Sequence, residues 1–280
     1  ATQEQLVGGC STLPSITSWQ SIALEDGETL SCFQSDMSSA FYLFRIPCCW
    51  HPHLAFNIIT TGVNVNGDPN QLFALACNVI PMGWQSSVGV MQEISENLMK
   101  HASVGPAHQL MRGKTLPPWM NETLEQACQE DKHWWHIYLD NFGAAERVTP
   151  SNAVTSAELC HREAERVWKE AGVISSSKKR LVDQPTMVEL GAEVDGAQKV
   201  LGVTTDKLVR TIQATLWLIG QQYLNRKHVQ VVAGRWVFIL QFRRPAMSVL
   251  NETWKLVGGA CKVTAKLRCA VRNELLTLVY

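Results

Sequence analysis

The stretch HWWHIYLDNFGAAER, residues 133 to 147, constrains this chain more than any other. Trp134, Trp135, His136, Ile137, Tyr138 and Leu139 read as a buried strand that runs straight into Asp140, after which Asn141, Phe142 and Gly143 read as a turn. A strand fixes the position of a side chain at its tip and the turn leaves it open to solvent, so Asp140 is well placed to hold a cation. An aspartate beside a turn more often only accepts hydrogen bonds from nearby backbone. The cation reading therefore requires a second carboxylate and a surface on which a substrate can lie.

The chain is long enough to supply both. At 280 residues, 46% hydrophobic and 18% charged, it can bury a substantial core in one large or two smaller domains. No apolar run reaches the length of a membrane span, and the opening ATQEQLVGGC has neither the basic nor the apolar part of a signal peptide. The initial Ala suggests a missing upstream segment. Nine cysteines, an odd number lying partly within apolar runs, read as reduced thiols. The expectation is an intracellular protein, cytoplasmic or nuclear, not secreted and not in a membrane. Net charge is zero, but residues 1–160 hold 6 Lys/Arg against 15 Asp/Glu (−9), and residues 161–280 hold 19 against 10 (+9). An acidic half that gathers cations joined to a basic half that follows phosphates suits a nucleic-acid partner; two differently decorated solvated surfaces would read the same way.

The second carboxylate stands at Asp36, at the end of TLSCFQSD, an alternating segment that reads as a strand. Small residues Ser38, Ser39 and Ala40 let the chain bend after it, and Phe41 follows five positions beyond the Asp. LAFNIITTGV and LFALACNVIP read as two further strands. The latter ends in Pro81 and Gly83, which punctuate a turn before a helix whose apolar positions include Val90, Met91, Ile94, Leu98 and Met99. Residues 102–132 read as a polar insertion. Beyond the Asp140 stretch, a helix over AELCHREAERVWKEAGV carries Leu159, Cys160, Ala164, Val167, Trp168 and Ala171 on one face, with Ser151, Thr155 and Ser156 as caps. SSSKKR is a basic turn, and TMVELGAEVDG a hairpin around Gly191. From Val203 the spacing is helical, with Leu208, Val209, Ile212, Leu216 and Ile219 as the first stripe. The fold class expected is α+β, an antiparallel sheet packed by helices to about residue 200, then an all-helical region over 201–280.

Taken in order, these segments resemble the palm of a reverse transcriptase. FQSDMSSAFYLFRIP is similar to its first catalytic motif, PMGWQSSVGVMQ to the Pro-x-Gly turn and helix of its second, and YLDN to its third, usually Tyr-x-Asp-Asp. Gly172 to Arg180, with Lys178 and Lys179, looks like the fourth, and ELGAEVDG like the primer-grip hairpin that joins palm to thumb. The ordered set, spread over residues 20–270, is far more specific than any member. The RIPxxW, AFN and PMGW wording is most similar to retrotransposon-derived polymerase domains, in particular those of tyrosine-recombinase retrotransposons.

The resemblance implies a ferredoxin-like palm with residual finger elements over 1–200, a helical thumb over 201–280, and fingers mostly missing. It implies two Mg2+ or Mn2+ ions held by Asp36, Asp140 and the backbone carbonyl of Met37, with Asn141 beside them, and a primer–template and deoxynucleoside triphosphates as partners. Two cations suit an in-line displacement at phosphorus because they stabilise both the attacking and the leaving oxygen. By the same resemblance Phe41 lies under the incoming sugar, and Met82, Gly83, Trp84 and Gln85 line the nascent base pair. Lys179, or Lys178, protonates the departing pyrophosphate, and Leu190 and Gly191 position the primer terminus. The alternative for Phe41, Met82 and Trp84 is plain core, and for the two lysines a solvated turn.

Two features depart from the family. Asn141 stands where a second Asp is usual, and the first 35 residues contain neither Lys nor Arg for a triphosphate. Together they keep a second expectation open, a catalytically inactive remnant that binds nucleic acid or only folds. A third, a zinc-holding interaction protein, rests on Cys48, Cys49, His51 and His53, whose spacing does not match known fingers.

Overall fold

The computed structural model describes residues 13–84, 86–104, 109–110, 132–149, 154–258, 264–266 and 269–280. Most of the 102–132 insertion, together with Gln85 and Ser151, lies outside the described residues. The chain divides into two compact units. One gathers the described residues of Ala1–Ser15, Ser31–Lys114 and Asp131–Gln184, and the other those of Ile16–Leu30 and Pro185–Tyr280.

The first unit is built on a four-stranded antiparallel sheet. Its strands are β1 (Thr29–Asp36), β4 (His133–Tyr138), β5 (Asn141–Val148) and β6 (Leu181–Gln184), in the order β4-β5-β1-β6. Helices α2 (Ser87–Met99) and α3 (Ser156–Glu170) pack on it. Phe33, Met37, Met91, Ile137, Phe142 and Trp168 sit at the centre of that packing and are almost wholly shielded from water. Strand alternation accounts for the division of labour along β1. Phe33, Ser35 and Met37 face the helices, which leaves Gln34 and Asp36 on the opposite face. A short helix, α1 (Ala40–Leu43), follows β1 after Ser39 takes the left-handed conformation. β2 (Ala55–Thr61) and β3 (Leu72–Ala76) form a separate hairpin whose Phe56, Ile58, Ile59 and Leu72 are exposed.

Within this unit two details of the sequence reading change. Tyr138 pairs with Asn141, so the turn is only Leu139–Asp140, and Asn141, Phe142 and Gly143 open the returning strand β5. The reason is burial: Phe142 is fully enclosed and stacks on Trp135 at 6.1 Å, which a turn residue could not do. On α3 the inward face is Ala157, Cys160, His161, Ala164, Val167 and Trp168, whereas Leu159 is 54% exposed and Ala171 lies beyond the helix. Thr155 is the cap, its hydroxyl accepting from the Glu158 N–H at 3.1 Å.

The second unit opens with a three-stranded meander, β7 (Thr186–Glu189), β8 (Ala192–Asp195) and β9 (Val200–Val203). Helices α4 (Thr205–Ile219), α5 (Arg226–Leu240), α6 (Asn251–Gly258) and α7 (Cys269–Thr277) follow. Leu218, Val229, Val232, Trp236, Leu250 and Leu275 form their shared core. The face of α4 differs from the stripe expected: Thr211, Thr215, Leu218 and Ile219 are buried, while Val209 and Leu216 are exposed. The threonines tolerate burial because each hydroxyl returns to the helix backbone, Thr211 to Lys207 O and Thr215 to Thr211 O, both at 2.7 Å. Residues 223–225 and 264–266 pair as short strands β10 and β11, which nothing in the helical spacing foretells. Residues 241–250 form a 3-10 segment kinked at Arg243.

Candidate active site

The end of β1 and the β4–β5 turn meet through backbone. The Met37 N–H donates to the Asp140 carbonyl at 2.7 Å, and the Asp36 carbonyl accepts from the Ser176 N–H at 2.8 Å. These bonds bring three elements of separate origin to one point: the strand of Asp36, the turn of Asp140 and the segment that leads into Lys179. Lys179 Nζ lies 2.7 Å from Asp36 Oδ2. Asp36 is largely buried, whereas the Lys179 side chain is 62% exposed. Its pKa is raised above the usual lysine value, chiefly by the hydrogen bond to Asp36.

Asp140 titrates above the ordinary carboxylate range. Burial is the main cause and repulsion from Asp36 the second, with Lys179 partly opposing both. Two carboxylates near enough to repel across a partly buried site are what a divalent cation relieves, and their hard oxygens suit Mg2+ or Mn2+. The donor set therefore fits such an ion. Among the described residues no group of three or more His, Cys, Asp or Glu converges, so further ligands would come from backbone, water or substrate phosphate. Asn141 sits on the same face of β5, and its Oδ1 accepts from Gln34 Nε2 at 3.2 Å.

The turn that presents Asp140 is strained and clasped. Leu139 has φ +53°, a conformation that costs a non-glycine residue about 1–3 kcal/mol. Helix α2 holds it there. Gln92 Oε1 accepts from the Leu139 N–H at 2.7 Å, Gln92 Nε2 donates to the Ile137 carbonyl at 3.0 Å, and Ser95 Oγ donates to the Leu139 carbonyl at 2.5 Å. Gln92 and Ser95 are fully buried, and Gln92 Nε2 also donates to Glu96 Oε1 at 2.8 Å. Gln92 enters the sequence reading only as the last residue of the second motif, and Ser95 does not enter it. The available signal was three polar residues, 92, 95 and 96, on the face of α2 that also carries Met91 and Met99.

The other expected site residues fall as follows. Phe41 is partly buried against the sheet core, Met82 is 64% exposed, and Trp84 packs edge-on to Trp50 at 5.7 Å. Gly83 turns with φ +92°, where a side chain would be strained. The turn is closed by the Ser87 hydroxyl on the Pro81 carbonyl at 2.5 Å. Leu190 and Gly191 belong to the second unit and form the two-residue turn between β7 and β8, with φ +47° and +80°. A Cβ on Gly191 would fall 1.8 Å from Lys207 Nζ, which donates to the Gly191 carbonyl at 3.2 Å. Lys178 is exposed beside Lys179. Cys48, Cys49, His51 and His53 string along a single 3-10 segment, Cys48–Leu54, with both cysteines exposed, and do not assemble as a metal group.

No protein-family model matches the sequence, and no curated protein matches it. Solved structures do. The foamy viral protease-reverse transcriptase in complex with RNA/DNA hybrid is 15% identical with a TM-score of 0.59, over 97% of this chain and 29% of that one. The same protein in complex with dsDNA is 16% identical with a TM-score of 0.58, over 97% and 45%. This chain thus spans less than half the length of those it resembles. At such identity the likeness is one of fold: this chain has an α+β fold similar to that of the foamy viral protease-reverse transcriptase, which agrees with the motif order of the sequence.

Proposed function

We propose that the chain is the palm and thumb of a reverse-transcriptase-like nucleotidyl transferase that extends a nucleic-acid primer with deoxynucleotides, using two Mg2+ or Mn2+ ions. One observation carries the reading: Asp36 and Asp140 converge with Lys179 at the joined ends of β1 and the β4–β5 turn. Bound cations would neutralise the phosphates and stabilise the charge that builds on the attacking and leaving oxygens. Asp36 and Asp140, with the Met37 carbonyl, would hold those ions. Lys179 would leave Asp36 and donate its proton to the departing pyrophosphate. Phe41 would select against a 2′-hydroxyl by bulk, the Met82–Gln85 turn would accept the base pair by shape, and Leu190 and Gly191 would hold the primer end through backbone.

The second unit supports a polyanionic partner. A groove of about 440 Å³ between α4 and α5 is lined by Lys207, Arg210 and Arg235 over a floor of Val231, Phe238 and Ile239. Cations over an apolar floor suit phosphates with sugars beneath them. In this reading residues 1–200 are palm with an insertion at 102–132, and 201–280 are thumb. A retroelement source and work inside the cell belong to the same proposal, resting on the motif wording. Among the described residues no helix is long and apolar enough to cross a membrane.

A second reading, an inactive remnant that still binds nucleic acid, is favoured by Asn141, which brings no charge and whose carbonyl is already engaged by Gln34. Primer extension and primer–template binding, measured side by side with Mg2+ and with Mn2+, separate the two. The first reading predicts extension that Asp140→Ala abolishes while binding persists. Binding without extension under either ion would assign the second.

A further inference from the structure

Behind the site, on the helix face of the sheet, lies a polar cluster in which one carboxylate reaches both neighbours of the Asp36–Lys179 pair. Ser35, the residue before Asp36, donates from Oγ to Glu165 Oε1 at 2.8 Å. Arg180, the residue after Lys179, donates from Nε to Glu165 Oε1 at 2.7 Å and from Nη2 to Oε2 at 3.0 Å. His161, one helical turn before Glu165 and 1% exposed, completes the cluster with Nε2 at 2.8 Å from Ser35 Oγ. The Ser35 hydroxyl thus sits between the Glu165 carboxylate and the His161 ring, within hydrogen-bond distance of both. The constellation contains a serine, a histidine and a carboxylate, but Ser35 is fully buried and meets no substrate. Nucleophilic chemistry is thereby excluded, and what remains is mechanical.

We infer that Glu165 is a positioning residue: it locks the strand carrying Asp36 to the turn carrying Lys179, and so holds the Lys179 ammonium on the Asp36 carboxylate. The bidentate fork fixes the plane of the Arg180 guanidinium and with it the direction of the 3-10 turn 177–179. The serine link fixes the other side one residue from Asp36. Lys179 itself has only the flexible reach of an exposed lysine, and an exposed ion pair formed by such a side chain is ordinarily weak. Rigid attachment of both flanking residues to one carboxylate reduces the freedom that the pair would otherwise have to lose. The consequence for catalysis rests on the polymerase reading; the effect on Lys179 does not.

Amine-reactive labelling of the native chain, read by mass spectrometry as the Lys179 to Lys178 ratio, tests the geometry without any assumption of activity. Lys179 is expected to react up to about fivefold more slowly than Lys178, the ceiling for an exposed ion pair. Asp36→Asn should bring the ratio close to one. Glu165→Gln, which keeps the volume but not the fork, should recover most of that change with thermal unfolding still cooperative. Arg180→Ala, at a side chain 44% exposed, tests the link from its other end should the Glu165 variant fail to fold. A ratio unchanged in the folded variants overturns the inference. If the chain extends primers, Glu165→Gln should slow extension in the wild-type background, because the loosened turn no longer keeps Lys179 at the site once it leaves Asp36, and should add no further loss to Lys179→Ala; an equal loss in both backgrounds also overturns it. Absence of extension by the unaltered chain would count against the polymerase reading alone, since the labelling ratio decides the positioning role independently.

Discussion

At residue scale the site is a balance between exposing Asp140 and controlling its charge. The β4–β5 turn spends conformational strain at Leu139 to aim the carboxylate, and Gln92 and Ser95 hold that strain in place. Gln92→Leu should therefore do more than remove a polar group. It leaves the Leu139 N–H and the Ile137 carbonyl unpaired in the interior, which should lower stability by about 2–4 kcal/mol in urea unfolding, against about 1 kcal/mol for Ser95→Ala. Asn141 sets the charge side of the balance. Asn141→Asp restores a third carboxyl and should raise the rate of metal-dependent primer extension by about tenfold or more, equivalent to about 1.4 kcal/mol of transition-state stabilisation. A rate no higher than the unaltered chain's would mean that Asn141 is not what limits catalysis.

At the scale of the element, the informative feature is where polar residues interrupt an apolar helix face. His161 lies on the buried face of α3, with its ring 5.7 Å from that of Phe33. Burial pushes its pKa below the ordinary histidine value of 6.5. Because the folded value is lower, the unfolded chain binds the extra proton first, so the contribution of His161 is fully present above pH 6.5 and is lost as pH falls through the folded pKa. Glu165 works in the same direction at lower pH. Burial alone would raise its pKa, but hydrogen bonds from Arg180 and Ser35 outweigh that and hold it below 4.5. Each pH unit of separation is worth about 1.4 kcal/mol. Urea unfolding at pH 7.5, 6.5 and 5.5 should show stability falling with acid, and His161→Gln should flatten that slope; an unchanged slope would remove His161 as its cause.

These interruptions also mark how far the sequence could be read. Strand β1 and the hairpin around Gly191 are legible because alternation and turn chemistry are local properties. Asp36, Asp140 and Lys179 stand out because motif order places them, and the structure brings them to one point. The Leu159 and Leu216 errors have one cause: an apolar side chain counts toward a stripe whichever way it faces, while His161, Thr211 and Thr215 are discounted although their hydrogen bonds permit burial. Thr215 even serves the core as acceptor for Trp236 Nε1 at 2.8 Å. Partners 126 and 130 residues apart in sequence, Ser35 with His161 and with Glu165, leave no periodic trace.

At the scale of the whole molecule, a sheet-based unit that carries the carboxylates is joined in sequence to a helical unit with a cation-lined groove. The charge division of the sequence follows the same order, acidic to residue 160 and basic after it. Binding to a primer–template should therefore weaken steeply with salt, and Lys207→Ala with Arg235→Ala should flatten the dependence, measured as the slope of log affinity against log salt. An unaltered slope would place the phosphate contacts elsewhere. The central claim is that Asp36 and Asp140 form one nucleotidyl-transfer site. Single-nucleotide incorporation into a labelled primer–template with Mn2+ or Mg2+ tests it most directly. The account predicts incorporation by the unaltered chain and none by Asp36→Asn or Asp140→Asn at full primer–template binding; incorporation that survives either substitution would contradict it.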